Sequence, residues 1–212
     1  MYVVLDTETS GLFNFALPAD AEGQPRLAHL AMIFVDENLQ EESIVDLLVH
    51  PDRWTMPPEV AAINHLPQEF LMEKGLPVAH VLQAYTDAVD RGLIVVAFNS
   101  QFDLKVMRGE LRRAGMDDSF ERTPNICVMR PLTDICKIPK ANGKGYKFPK
   151  LSEAMAHFKI EQHGAHSAGG DARSALELFR KLKELGRCPE PSVNYAKKRP
   201  VSAMMTESGS AN

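Results

Sequence analysis

The chain opens on an apolar run, Val3, Val4 and Leu5, between Tyr2 and Asp6, and this reads as a short buried strand ending at Asp6. Residues 27–35 are apolar throughout except for His29, and residues 43–50 carry the run IVDLLV; both are strand candidates, separated by the turn-like DENLQEE. Strands in sequence with short connections favour an antiparallel start to a sheet. Residues 57–75 predict a short helix, a break over 64–67, and a second helix stopped by Gly75. Val78, Val81, Leu82, Tyr85 and Val89 recur at helical spacing, residues 93–98 form a continuous apolar strand, and residues 102–114 predict an amphipathic helix that Gly115 terminates. Residues 126–129 read as a short strand, 151–158 as a short helix, and 171–185 as a longer helix stopped by Gly186. Strands first, then alternating helices and strands, point to an α/β sandwich around a mixed sheet. From Arg187 onward periodicity vanishes and Pro, Ser and Lys dominate. The expectation is therefore a domain over 1–186 and a flexible or partner-dependent tail over 187–212.

Composition narrows the class. The 212 residues, 44% hydrophobic and 25% charged, suit one globular domain and exclude bulk disorder or fibrous structure. Three cysteines without a CxxC pair, Cys127, Cys136 and Cys188, argue against a disulfide framework and a four-cysteine zinc site. Nothing approaches the roughly 18 apolar residues of a membrane span, so a cytoplasmic protein with no membrane partner is expected. The net charge of −4 speaks against coating nucleic acid by bulk charge, but it is uneven: residues 1–104 hold 16 acids and 4 bases, whereas 105–150 hold 5 acids and 11 bases. Within the basic part, KIPKANGKGYKFPK over 137–150 has five lysines and no acid, interleaved with Tyr146 and Phe148. It reads as a loop, either a solvated connection or one that offers lysines to phosphates and rings to unstacked bases.

Three motifs carry candidate chemistry. Asp6 and Glu8 lie two apart at a strand end, so the strand's period of two turns both carboxylates to one face, where they repel unless protonated or bound to a cation. Asp103, in AFNSQFD, follows an apolar strand and falls in the first turn of the next helix, with Asn99 or Ser100 as the cap. In HSAGGDA, His166 precedes Asp171 by five, and Gly169 and Gly170 allow a tight turn before the helix. Each motif alone is compatible with a structural role. Together, acids at strand ends and helix starts can meet at one rim of an α/β sheet, and their oxygens are the hard ligands that Mg2+ or Mn2+ prefers. Two such ions suit phosphodiester hydrolysis, with His166 as the base for the attacking water.

DTETSGL from Asp6, NSQFD from Asn99 and HSAGGD from His166, in this order, resemble the motifs of the DEDDh exonucleases over about residues 1–186. The resemblance implies a ribonuclease H-like fold, a mixed five-stranded sheet flanked by helices. It implies Asp6, Glu8, Asp103 and Asp171 as metal ligands for two divalent cations, Mg2+ or Mn2+, and His166 as general base. The implied activity is removal of nucleoside 5′-monophosphates from a 3′ end. Thr9, Gly11 and Leu12 would face the terminal nucleotide, with Leu12 as a wedge; Asn64 and His65, in a segment that closes over the last base, and Asn99 and Phe102 are further substrate-contact candidates. His163, three before His166, is the alternative histidine. His29 stands where many relatives have Glu. Single-stranded or frayed DNA 3′ ends are the expected partner, with RNA ends or short oligoribonucleotides as the alternative. A polymerase or other replication protein could dock through the tail, and a polymerase-associated binding module is the reading from outside the enzymes.

Overall fold

The computed structural model describes residues 1–119 and 122–193. Five strands, β1 (Tyr2–Thr9), β2 (Leu27–Val35), β3 (Glu41–Leu48), β4 (Ile94–Ala97) and β5 (Asn125–Cys127), form one sheet in the order β3-β2-β1-β4-β5. The first three are antiparallel, and β4 and β5 run parallel to β1. Among the described residues seven helices flank the sheet: α1 (Pro58–Asn64), α2 (Gln68–Lys74), α3 (Val78–Asp90), α4 (Ser100–Arg113), α5 (Met129–Cys136), α6 (Leu151–His157) and α7 (Ala168–Glu184). This is the α/β, ribonuclease H-like architecture expected from the motifs.

Every residue of β2 is buried because both faces of the sheet are covered. Leu30, Met32 and Phe34 pack into a core with Val81, Leu82 and Tyr85 of α3 and Leu104, Met107 and Leu111 of α4. Ala31, Ile33 and Val35 pack on the other side with Ala175, Leu178, Phe179 and Leu182 of α7. Each large aliphatic side chain so buried contributes about 1.5–3 kcal/mol. β3 is one of the two edge strands, and Glu41, Glu42 and Asp46 blunt it. Glu110 of α4, almost fully buried, ties the start of β2 to this layer: Arg26 donates to both its oxygens (2.7 and 3.1 Å), and the Leu27 N–H adds a third bond.

Several elements differ from their sequence-based outlines. β1 runs on to Thr9, so Asp6 and Glu8 lie inside the strand; continued pairing with β2 up to a bulge at Glu8/Thr9 holds them there. α5 was not predicted, because its eight residues follow β5 with only Val128 between and contain Pro131. α7 begins at Ala168, so Gly169 and Gly170 lie within its first turn and do not form a turn before it; Ser167 caps it, accepting from the Gly170 N–H (3.2 Å). Asn99 occupies the cap position of α4 but makes no capping bond, and the Ser100 hydroxyl goes to Asn125 Oδ1 (3.0 Å). The lysine-rich segment is folded into a hairpin by a Pro139–Tyr146 bridge. Of the expected tail, residues 194–212 lie outside the described residues. Ser192 exchanges backbone hydrogen bonds of 3.1 Å with Asn125 on β5. No helix among the described residues is long and apolar enough to cross a membrane.

Candidate active site

β1 is paired with β4 only over Tyr2–Val4. Residues 5–9 therefore overhang the parallel half of the sheet, and a cleft of about 240 Å³ opens beside them. A buried strand N–H without a ladder partner must find another acceptor. For Thr7 that acceptor is Asp103 Oδ1, which takes the Thr7 N–H (3.1 Å) and the Thr7 hydroxyl (2.8 Å). The first turn of α4, fed directly from β4, brings Asp103 there.

Asp6 and Glu8 share the face of β1 that is covered by α7, because residues alternate along a strand. The first turn of α7 lays Asp171 against them. One carboxylate oxygen from each of Asp6, Glu8 and Asp171 lies within 4.8 Å of the other two. Asp103 and His166 line the same cleft, with Asn99, Phe102 and Leu151. Two unit charges at such a separation repel by about 3 kcal/mol at an effective dielectric near 20. The carboxyl groups respond accordingly. Burial, then the charges of Asp103, Asp171 and Glu8, raise Asp6 well above the ordinary range. Burial, then Asp171 and Asp103, push Glu8 up to about 7. Burial pushes Asp103 up to about 7 although the bonds from Thr7 oppose it. Burial also raises Asp171, against the Gln162 side chain, the His166 backbone N–H and the His166 charge. A buried, mutually repelling, all-oxygen donor set fits a hard divalent cation, which would replace the protons that otherwise relieve it.

His166 is exposed at the cleft edge, in a left-handed conformation (φ 62°) that few non-glycine residues adopt and that collects at functional sites. Its backbone N–H favours the charged form of the Asp171 carboxylate, and the residue borders the cleft. His163 is not part of the cleft wall; its N–H donates to Ser174 Oγ (3.2 Å). Thr9 and Asn64 meet at the end of β1, where Asn64 Nδ2 donates to the Thr9 carbonyl (3.3 Å) and Thr9 Oγ1 to the Gly11 carbonyl (2.6 Å). Leu12 is 87% exposed and His65, the left-handed cap of α1, is exposed as well; neither lines the cleft. The motifs did not reveal Thr7, which holds Asp103, or Gln162, whose amide donates to Asp171 Oδ1 (3.2 Å). Thr7 lies between two acids of the first motif, but its partner is 96 residues away, and Gln162 has no pattern of its own.

The family model described as Exonuclease (RNase_T) matches residues 3–179. The DNA polymerase III subunit epsilon of Treponema pallidum is 26% identical over 97% of this chain and 87% of its own length. Exonuclease I of Methylocaldum szegediense superposes with a TM-score of 0.71 at 23% identity, over 86% of this chain and 40% of the other. Exonuclease I of E. coli, solved in complex with a dT13 oligonucleotide, gives 0.68 at 17% over 86% and 40%. The chain thus spans about 40% of the Exonuclease I chains. The matched stretch begins at Val3 in β1 and ends at Phe179 in α7, enclosing all four acids and His166, and this chain belongs to the exonuclease family.

Proposed function

We propose that the protein is a divalent-metal-dependent 3′-to-5′ exonuclease of DEDDh type. It acts on single-stranded or frayed DNA ends in the cytoplasm and releases nucleoside 5′-monophosphates. The observation that carries this reading is the convergence of Asp6, Glu8 and Asp171 within 4.8 Å, in a cleft also lined by Asp103 and His166. The complexes of the similar Exonuclease I with oligonucleotides support DNA as the substrate. The likeness to a polymerase subunit makes a replication protein the partner class to test.

In this reading Asp6, Glu8, Asp103 and Asp171 would hold two ions, Mg2+ or Mn2+. The bound ions would supply charge stabilisation at the phosphate and acidify the attacking water. The chain's own residues do the rest. The His166 imidazole takes a proton from the water as its oxygen attacks phosphorus, and the bond to the 3′-oxygen breaks; the leaving oxygen collects a proton from solvent. The Gln162 amide and the His166 N–H hold the Asp171 carboxylate in place for that step. Thr9, Gly11, Leu12, Asn64, His65, Asn99 and Phe102 are the proposed contacts of the terminal nucleotide.

Incubation of 5′-labelled single strands with Mg2+ and with EDTA tests this. A ladder shortening from the 3′ end in Mg2+ alone is expected, and intact substrate in both would overturn it. Matched RNA strands in parallel decide the sugar preference, because contacts to the 2′-hydroxyl separate the two. A chain ending at Val193 is expected to keep nuclease activity and lose association with a replication partner.

A further inference from the structure

The lysine-rich segment has a definite shape next to the cleft. Between α5 and α6 the chain folds back on itself: the Lys140 N–H reaches the Gly145 carbonyl (3.0 Å), the Lys147 N–H the Ile138 carbonyl (2.9 Å), and Pro139 bridges Tyr146. The returning arm then runs to Leu151, which starts α6 and lines the cleft. Lys147 turns to Glu153 of α6, with Nζ 2.6 and 2.7 Å from its two carboxylate oxygens in a half-exposed ion pair. Along an extended arm, the neighbours on either side of a residue point to the opposite face. Tyr146 and Phe148 do so, 42% and 59% exposed. Lys140 and Lys144 are exposed at the turn, with no ion pair among the described residues.

Residues two apart on an extended arm are separated by about 6.7 Å. That is about twice the roughly 3.4 Å rise between stacked nucleotides. Successive bases can meet both rings only when unstacked, which a single strand permits and a duplex resists. We propose that this hairpin is a second contact surface for single-stranded nucleic acid, with Tyr146 and Phe148 stacking on successive bases and Lys140 and Lys144 against phosphates. Its place at Leu151 makes it continuous with the cleft, so it deepens the exonuclease reading by holding the strand upstream of the cleaved end.

The test measures binding in EDTA, so it does not depend on turnover. Anisotropy of a fluorescein-labelled oligothymidylate of about 20 nucleotides is compared for the parent, Tyr146→Ala/Phe148→Ala and Lys140→Ala/Lys144→Ala. Removing both rings should weaken binding about tenfold or more. Removing both lysines should lower the slope of log K against log salt by about 1.4. Phe148→Trp should bind as the parent does, and removing the rings should leave affinity for a matched duplex unchanged. Equal affinities and equal salt slopes for parent and variants would overturn the proposal. If the parent in Mg2+ leaves both this strand and a thymidine dinucleotide intact, the exonuclease reading fails, while the EDTA comparison still decides the hairpin.

Discussion

Glu8 of β1 and His29 of β2 face one another across the antiparallel ladder, and His29 Nε2 is hydrogen-bonded to Asp46 of β3. Directly opposed residues stand with their Cβ atoms about 4.5–5.5 Å apart, so the His29 ring forms a wall beside Glu8. Asp46 holds that ring on one side, while its Nδ1 is buried with no hydrogen-bond partner among the described residues. His29→Ala frees the space beside Glu8 and leaves Asp46 without its partner. We expect the affinity of the protein for Mn2+, read by electron paramagnetic resonance without substrate, to fall about tenfold. An unchanged affinity would mean that Glu8 is held from elsewhere.

Asp103 accepts two hydrogen bonds from Thr7 beside its proposed part in metal binding, and substitutions can separate the two. Asp103→Ala relieves repulsion in the cluster but strands the Thr7 N–H and hydroxyl, and a stranded buried donor costs about 1–3 kcal/mol. With two donors stranded, the loss should exceed the relief. We expect Asp103→Ala to lower stability in urea melts, Asp103→Asn to leave it near the parent because an acceptor oxygen remains, and both to lose turnover by about a thousandfold or more. Asp6→Asn should lose as much turnover with no loss of stability. A normal rate in any of the three would count against the assignment.

The stability of the metal-free protein should fall as pH rises. Glu8 and Asp103 bind protons more tightly folded than unfolded, with folded values of about 7. Between pH 4.5 and 7 the unfolded chain therefore holds fewer protons, and stability declines across that window. Glu8→Gln removes one such group. In EDTA near pH 8 it should melt about 4–8 °C above the parent, corresponding to about 2 kcal/mol after allowance for partial solvent screening. Near pH 5 the two should melt together. Added Mg2+ should raise the parent's melting temperature at pH 8 and have less effect on Glu8→Gln.

Two adjacent glycines should respond differently to one methyl group. A Cβ on Gly170 would lie 2.3 Å from the Gly164 carbonyl oxygen and 2.4 Å from that of His163, so the backbone that carries His166 would have to move. A Cβ on Gly169 would meet Asp46 Oδ2 at 2.6 Å, the oxygen not bonded to His29, so a small rotation of the carboxylate can relieve it. Gly170→Ala should cost about 2 kcal/mol and reduce kcat about a hundredfold by displacing His166 from Asp171. Gly169→Ala should stay within a few-fold of the parent. Equal effects of the two on kcat would show that this backbone contact does not position His166.

Much of this architecture was legible in the chain. Long apolar runs such as 27–35 announce a strand covered on both faces, and the periodic segment from Val78 to Val89 lies within a real helix. The elements that escaped are short or begin without a signal. α5 follows β5 with a single residue between them, and the start of α7 contains two glycines, which sequence reasoning assigns to turns. Those glycines serve close approach, since both have ordinary backbone angles and neighbours inside van der Waals distance of a Cβ.

Which residues can do chemistry is readable from the chain locally. Acids two apart on a strand share a face by geometry, and acids in first helical turns sit at favourable dipole ends, so both properties are local. That Asp171 closes on Asp6 and Glu8 while Asp103 reaches from the opposite layer to Thr7 comes from the packed fold. The pairing of Lys147 with Glu153, which leaves Tyr146 and Phe148 exposed, comes from the packed fold as well. The reason is that these contacts depend on where β4 stops pairing with β1 and on which helix covers each face. Both are set by packing across the whole sheet and leave no periodic trace in the residues themselves.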